Sequence, residues 1–492
     1  MLFSNKNIPI ILIIFLGLTL RLINLDTYGV WLDEMGSISE ANSLFVFDFD
    51  SFFTLRDIQN NDTLINVFKS VEIAEAGNGI TYILLLHYWK EIFGNTDFAI
   101  RFLSLVFGGI VIFLTYRLTH DITKSQKISN LSGLLTSIHP FLIIYSQEAR
   151  SYMLCLVFVL ASSIVIFQIL KSRNFNFLNH LLYSILILLA FFTHYSSIYI
   201  LFAHLLIFLY LKIAFSKWKS FISVLILIGL SIFVWFYFYG FDCYEVISTR
   251  SNNYKSLSLN DPTNPLYMST SIYSIIAGWL QNILIFSGNT LSSYGLSIRY
   301  NSIFLVFILI ILIPMFRRKE WLFMPYFNCL IFLVFSSLLY ATLLAVISGH
   351  IVSFQNNYSI FSLPFFIIMM SIALSYYRKN KEKIFYLFSV FIFFLVSILS
   401  NIGILNGLDS HNKALNRFEL CAEKINAFYE SSCNDSIKIS YGSKIYAVEL
   451  NKYLNSSLAD VKQSVNGETE DNEVILYRNS ISDSICIFKV GD

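Results

Sequence analysis

About eleven stretches of the chain are apolar over the length that crosses a hydrocarbon core, roughly 20 residues at 1.5 Å rise per residue. They lie near 8–25, 98–118, 128–144, 152–170, 177–193, 195–211, 220–240, 301–316, 322–347, 359–377 and 384–405. Short polar turns separate most of them, and three longer polar regions interrupt the series. The pattern predicts an all-α polytopic membrane domain over 1–405 with outer loops 26–97 and 241–300, followed by a polar segment, 406–492, that reads as a small C-terminal α/β domain outside the membrane. Within that segment the pattern predicts a helix over 413–429 and short strands over 436–441, 473–477 and 485–490.

Basic residues in the loops set the orientation. Lys124 and Lys127, then Lys171 and Arg173, then Lys212, Lys217 and Lys219 fall on one side of the alternating spans. Arg317, Arg318 and Lys319, then Arg378, Lys379, Lys381 and Lys383 fall on the same side. That side is expected to be cytoplasmic together with the amino terminus, and an odd number of spans puts the carboxyl terminus outside. No small-residue cleavage pattern follows the first span, so it is expected to remain as an anchor. Arg21, near its outer end, is placed to snorkel to the headgroups. The stretch 80–93 is short and carries Lys90 and Glu91, which predicts a helix lying along the membrane surface. The stretch 271–286 predicts a second interfacial or re-entrant helix, after a turn at Asp261-Pro262-Thr263-Asn264-Pro265.

Composition agrees with this class. Of 492 residues, 56% are hydrophobic and 13% charged, about half the charged share of a soluble domain. A net charge of +2 with no basic block gives no indication of a nucleic-acid partner. The six cysteines include no CxxC pair, so neither a zinc nor a dithiol motif is indicated. Cys155 and Cys329 lie in apolar runs and are expected to be buried, whereas Cys421 and Cys433 lie in the polar tail and could pair in an oxidising compartment.

Three groups of residues could carry chemistry. Trp31-Leu32-Asp33-Glu34 opens the first outer loop just past the first span. A carboxylate at an apolar–aqueous boundary is suited to take a proton from a hydroxyl, and the alternative is a solvated acidic loop. Tyr145-Ser146-Gln147-Glu148-Ala149-Arg150-Ser151-Tyr152 lies at the outer junction of the third and fourth spans. There a planar guanidinium with neighbouring phenols can grip a phosphate, and the alternative is a Glu148–Arg150 salt bridge. His87, His139 and His194 fall on the outward side without metal-ligand spacing, which favours hydrogen-bonding roles over a metal site. P-loop, GxGxxG and GxSxG patterns are absent.

Arg21-Leu22, the Trp31–Glu34 motif, Tyr82-Ile83-Leu84-Leu85-Leu86-His87-Tyr88-Trp89, Phe93-Gly94, Asp97-Phe98-Ala99-Ile100-Arg101-Phe102 and His139-Pro140-Phe141 through Tyr152 follow one another in an order that resembles one family. It is the polytopic glycosyltransferases of the C-type fold, which include the protein O-mannosyltransferases and the bacterial lipid A aminoarabinose transferases. The resemblance covers the first 200 residues motif by motif and the remainder only in layout. It implies a sugar donor on a polyprenyl phosphate and transfer, on the outer face of a bacterial inner membrane, to a lipid, glycan or protein acceptor. It implies Asp33 as the catalytic base, with Glu34 beside it to orient the acceptor or tune the base. Arg150, Tyr145, Tyr82 and Arg101 then become contacts of the donor phosphate, and Gln147, Glu148, His139 and His194 line the substrate cavity. No cofactor is required, although a divalent ion between Asp33 and the phosphate is compatible with the scheme. Two departures stand out. A basic-Pro-Pro stretch before the family's tyrosine is Asn78-Gly79-Ile80 here, and a late Arg-Tyr is Asn357-Tyr358. Both put more weight on Arg150, Arg101 or Arg299 for holding a phosphate. Rival readings are a flippase of lipid-linked saccharides, which would concentrate charge in span centres, and a surface-polysaccharide polymerase or ligase, which would want more outer arginines.

Overall fold

The computed structural model describes residues 8–27, 29–48, 54–172, 176–211, 215–260, 270–286, 325–379, 383–405, 438–441, 463–465 and 473–476. The expected span at 301–316, the tail helix at 413–429, the strand at 485–490 and both tail cysteines lie outside these residues. The chain divides into two units, residues 1–23 with 104–409 and residues 24–103 with 410–492.

Every regular element described in the first unit is a helix. It contains α1 (Ile8–Leu22) and most of the long helix Asp97–Thr123. Six described helical segments are long and apolar enough to cross a membrane: Asp97–Thr123, Tyr152–Lys171, Phe221–Phe238, Phe327–Ser348, Asn357–Ser375 and Ile384–Ile402. Ile8–Leu22, Phe177–Thr193, Tyr195–Tyr210 and Ile272–Phe286 are shorter apolar helices. The segments Tyr152–Lys171 and Asn357–Ser375 are buried on nearly every side, as helices at the centre of a bundle are. Outer helices instead present apolar side chains outward, among them Phe15, Phe233, Phe238 and Ile384. An apolar surface of that extent is tolerated in hydrocarbon and not in water, and the chain is an integral membrane protein.

Two spans differ from the sequence expectation. The stretch 128–144 is not one helix but two, Gln126–Ile138 and Pro140–Ile144. Pro140 has no N–H, and its ring disfavours helical geometry at the residue before it. His139 accordingly sits at φ −66°, ψ 120° between the two helices. The span near 220–240 does not end at a loop; one helix runs from Phe215 to Asn260. At 1.5 Å per residue that far exceeds a bilayer's apolar thickness, so its polar last third continues a regular hydrogen-bond ladder where a loop was expected. Helix Ile272–Phe286 packs against the segment around 341–354, with Trp279 Nε1 donating to Thr342 Oγ1 at 2.9 Å and Asn282 Nδ2 to the Phe354 carbonyl at 3.1 Å.

The second unit carries three helices inside what reads as a polar loop: Leu32–Ala41, Leu55–Asn61 and Leu64–Glu75. The predicted surface helix follows at Ile80–Phe93, entered through Gly79 at φ 89°, a conformation that favours glycine. It exposes Leu85, Tyr88, Ile92 and Phe93 and buries Tyr82, Ile83, Leu86 and His87. Lys90 turns inward with that buried face. Its ammonium pairs with Asp62 and donates to Asn42 Oδ1 at 2.6 Å, while His87 Nδ1 lies 3.0 Å from the Ala41 carbonyl. This polar knot ties the loop helices to the surface helix. In the tail, three short strands at Lys438–Tyr441, Gln463–Val465 and Glu473–Leu476 form a parallel sheet with the first of them in the centre. Gln463–Val465 lies in a stretch where the sequence pattern predicts no strand.

Candidate active site

In the second unit, Asp33 and Glu34 occupy the first turn of helix Leu32–Ala41. Consecutive residues on a helix point about 100° apart, and the two carboxylates have different surroundings. Glu34 is fully buried. Its Oε1 accepts from Arg101 Nε at 2.8 Å and its Oε2 from Arg101 Nη2 at 2.7 Å. Oε2 also accepts from the Trp31 backbone N–H at 3.3 Å, which fixes the start of the helix. Arg101 is 3% exposed and spends further donors on the carbonyls of Leu25, at 3.0 Å, and Gly29, at 3.1 Å. Arg101 and Glu34, expected from the sequence as a phosphate contact and as the partner of the catalytic base, are thus bonded to each other. A buried charge needs a counter-charge and satisfied hydrogen bonds, and each supplies this to the other. Asp33 is partly exposed, in a first turn where the helix dipole favours negative charge. Tyr82 is completely buried in the first turn of the surface helix.

In the first unit, Pro140–Ile144 ends at Tyr145, and a turn over 145–151 leads into the helix that begins at Tyr152. Arg150 lies with its guanidinium carbon 5.7 Å from the centre of the Tyr152 ring, a cation–π distance. Its backbone is fixed on both sides, its N–H donating to the Glu148 carbonyl at 2.8 Å and its own carbonyl accepting from Ser104 Oγ at 3.3 Å. Tyr145 meets Tyr152 edge-on at 4.9 Å between ring centres. Tyr152 neighbours His194 at 5.7 Å, and His194 neighbours Tyr358 at 6.0 Å and Phe361 at 5.1 Å. Asn357 Nδ2 donates to the Tyr152 hydroxyl at 3.3 Å. Asn357 and Tyr358, the departing pair of the late motif, thus stand in the same cluster as Arg150. Sequence reasoning placed Tyr152 in the motif around Arg150 but noted Asn357 and Tyr358 only as a departure from the family pattern; these two lie 205 and more residues along the chain from the motif they join.

His194 is buried in the turn between two spans, and its Nδ1 accepts from the Ser196 N–H at 3.3 Å. Burial, reinforced by the nearby charge of Arg150, pushes its pKa down to about 3. A depressed value means the imidazole is neutral throughout the range where an unperturbed histidine titrates. Any stability it adds is complete above pH 6.5 and declines as pH falls below that, toward 3. A rate profile between about pH 5 and 8 is therefore expected to carry no inflection from His194. His194→Gln should leave its shape unchanged, and an inflection that disappears in the variant would show that the ring does titrate there.

Gln147, His139 and Glu148 are the remaining expected residues of this unit. Gln147 Nε2 donates to the carbonyls of Arg21 at 3.0 Å and Ile23 at 2.7 Å, so its amide caps the end of α1. His139 Nε2 lies 3.3 Å from the Phe286 carbonyl, and Glu148 is 3% exposed. Among the described residues no group of three or more His, Cys, Asp or Glu side chains gathers to hold a metal ion.

A family model described as dolichyl-phosphate-mannose-protein mannosyltransferase matches residues 79–238, about a third of the chain. No curated protein matches the sequence. Among solved structures, ArnT from Cupriavidus metallidurans in the apo state aligns with a TM-score of 0.56 at 11% identity, over 95% of this chain and 87% of that one. The same protein bound to undecaprenyl phosphate aligns at 0.53 and 10% identity, over 90% and 85%. The Archaeoglobus fulgidus oligosaccharyltransferase in the apo form aligns at 0.50 and 12% identity, over 92% of this chain; the chain spans 65% of that protein's length. In fold, and over residues 79–238 in sequence, the chain thus resembles the polytopic C-fold glycosyltransferases that include the protein O-mannosyltransferases and ArnT.

Proposed function

We propose that the protein is a membrane glycosyltransferase that moves a sugar from a polyprenyl-phosphate donor to a lipid, glycan or protein acceptor on the outer face of the membrane. The reaction is a single displacement. An acceptor hydroxyl or amine attacks the anomeric carbon, the bond from that carbon to the phosphate oxygen breaks, and the electron pair leaves with the polyprenyl phosphate. The acceptor's proton passes to the Asp33 carboxylate, and the anomeric centre inverts. Arg150 neutralises the leaving phosphate, where fixed positive charge is most effective. Glu34 and Arg101 hold the helical turn that carries Asp33. The scheme goes with about eleven spans, a cytoplasmic amino terminus, a surface helix at 80–93 and an outer α/β tail.

The observation that carries the reading is the placement of Arg150. It stands against an aromatic face and next to an uncharged imidazole, in a segment inside the matched region. ArnT, which shares the fold, is known bound to undecaprenyl phosphate. The test is transfer from radiolabelled polyprenyl-phosphate-linked sugar in detergent. Arg150→Ala is expected to weaken donor use by about 10- to 100-fold, the range of one lost charge-assisted contact, and Arg150→Lys by less. Movement of the donor across vesicle membranes without any acceptor-linked product would identify a flippase instead.

A further inference from the structure

Arg21 sits in the last turn of α1 and is 0% exposed, so it does not snorkel to the membrane surface. A buried guanidinium costs several kcal/mol in desolvation unless its surroundings compensate. Among the described residues every partner of Arg21 is neutral. Nη1 donates to the carbonyls of Gly17 and Ser137, each at 2.9 Å, Nη2 to that of Thr136 at 3.4 Å, and Nε to Ser146 Oγ at 3.0 Å.

The chain explains why these acceptors are available. In an unbroken helix the Thr136 carbonyl would accept from the N–H of residue 140, and that residue is proline. The break at His139-Pro140 therefore leaves buried carbonyls at the end of helix Gln126–Ile138, and Arg21 supplies the missing donors. The same guanidinium reaches across to Ser146, in the turn that carries Arg150. Gln147 returns the contact by donating to the carbonyls of Arg21 and Ile23. Gly108 gives the room; a Cβ there would lie 2.9 Å from Arg21 Nε and 3.0 Å from Ser146 Cβ.

We infer that Arg21 is a positioning residue: its side chain bridges the broken helix end and the turn over 145–151, and so sets where Arg150 stands. The inference rests on the assignment of Arg150 to the donor phosphate. Its charge stays within the bundle and does not touch the donor.

The experiment uses the full-length protein in detergent, with a long-chain polyprenyl monophosphate lacking sugar as the binding probe. Arg21→Lys keeps the charge and loses the planar fork. It is expected to weaken probe binding by about tenfold, the size of one misaligned charge-assisted contact. Ser146→Ala removes a single acceptor and should weaken binding less, with little change in thermal midpoint; it serves as the variant if Arg21→Lys does not fold. Each change is repeated in an Arg150→Ala background. If Arg21 acts through Arg150, the loss there disappears, whereas a full and additive loss overturns the inference. A second readout separates this inference from the functional reading. The rate at which Arg150→Cys is modified by a membrane-impermeant thiol reagent should change when Arg21→Lys or Ser146→Ala is added. An unchanged rate overturns the positioning role. A changed rate, with Arg150→Ala binding the probe like the wild type, supports the positioning role and removes Arg150 from donor recognition.

Discussion

Asp33→Asn is expected to lower glycosyl transfer by about 10²-fold or more, within the range that a positioned general base contributes, while the protein folds and binds donor as before. The substitution is nearly isosteric. Residue 33 lies in the first turn of its helix, where loss of the negative charge costs only about 0.3–1 kcal/mol. What the amide cannot do is take the acceptor's proton. The loss should therefore fall on kcat, with little change in donor KM, because Asp33 acts when the acceptor attacks rather than when the donor binds. Asp33→Glu tests placement, since the carboxylate is retained and only its reach changes, and partial activity is expected from it. Initial rates with labelled donor, alongside thermal midpoints, are the measurement. Turnover of Asp33→Asn within a few-fold of wild type, at unchanged stability, would take the residue out of the reaction. Glu34→Gln gives a contrast, because its expected deficit appears in stability before it appears in rate.

That contrast marks where the sequence stops being informative. Two adjacent carboxylates at a membrane boundary look equivalent along the chain. Which one turns inward depends on Arg101, 67 residues away, meeting one face of a three-turn helix. Length and hydropathy located most of the spans because crossing a bilayer is a demand on consecutive residues. The same reasoning missed helices Leu55–Asn61 and Leu64–Glu75, whose polarity reads as loop and whose stability comes from packing and from the Asp62–Lys90 knot. The break at His139-Pro140 could have been read from the proline alone. The burial of Arg21 could not, because three of its four acceptors lie 115 to 125 residues downstream. The cluster around Arg150 was legible as far as one contiguous motif reaches, from Tyr145 to Tyr152. Asn357 and Tyr358 were noticed as a departure from the family pattern, but only the fold brings them beside Tyr152 and His194.

Arg101→Met is expected to destabilise the unit that contains it by about 3–5 kcal/mol, the usual cost of leaving one member of a buried ion pair without the other. Glu34 is fully buried, and with Arg101 gone its two guanidinium donors are lost while the Trp31 N–H remains. The carbonyls of Leu25 and Gly29 lose donors as well. Arg101→Lys should recover only part of this, since an ammonium cannot reproduce a fork that meets both carboxylate oxygens. The double variant Glu34→Met with Arg101→Met should be more stable than Arg101→Met alone, because it removes both charges from the low-dielectric interior. Thermal unfolding in detergent ranks the three. Kinetics then separates a brace from a phosphate contact. A direct contact would raise donor KM in Arg101→Lys, whereas a brace for the turn bearing Asp33 would lower kcat with donor KM nearly unchanged. The geometry favours the second outcome, since the bonds described for Arg101 run to Glu34 and to two backbone carbonyls of its own unit.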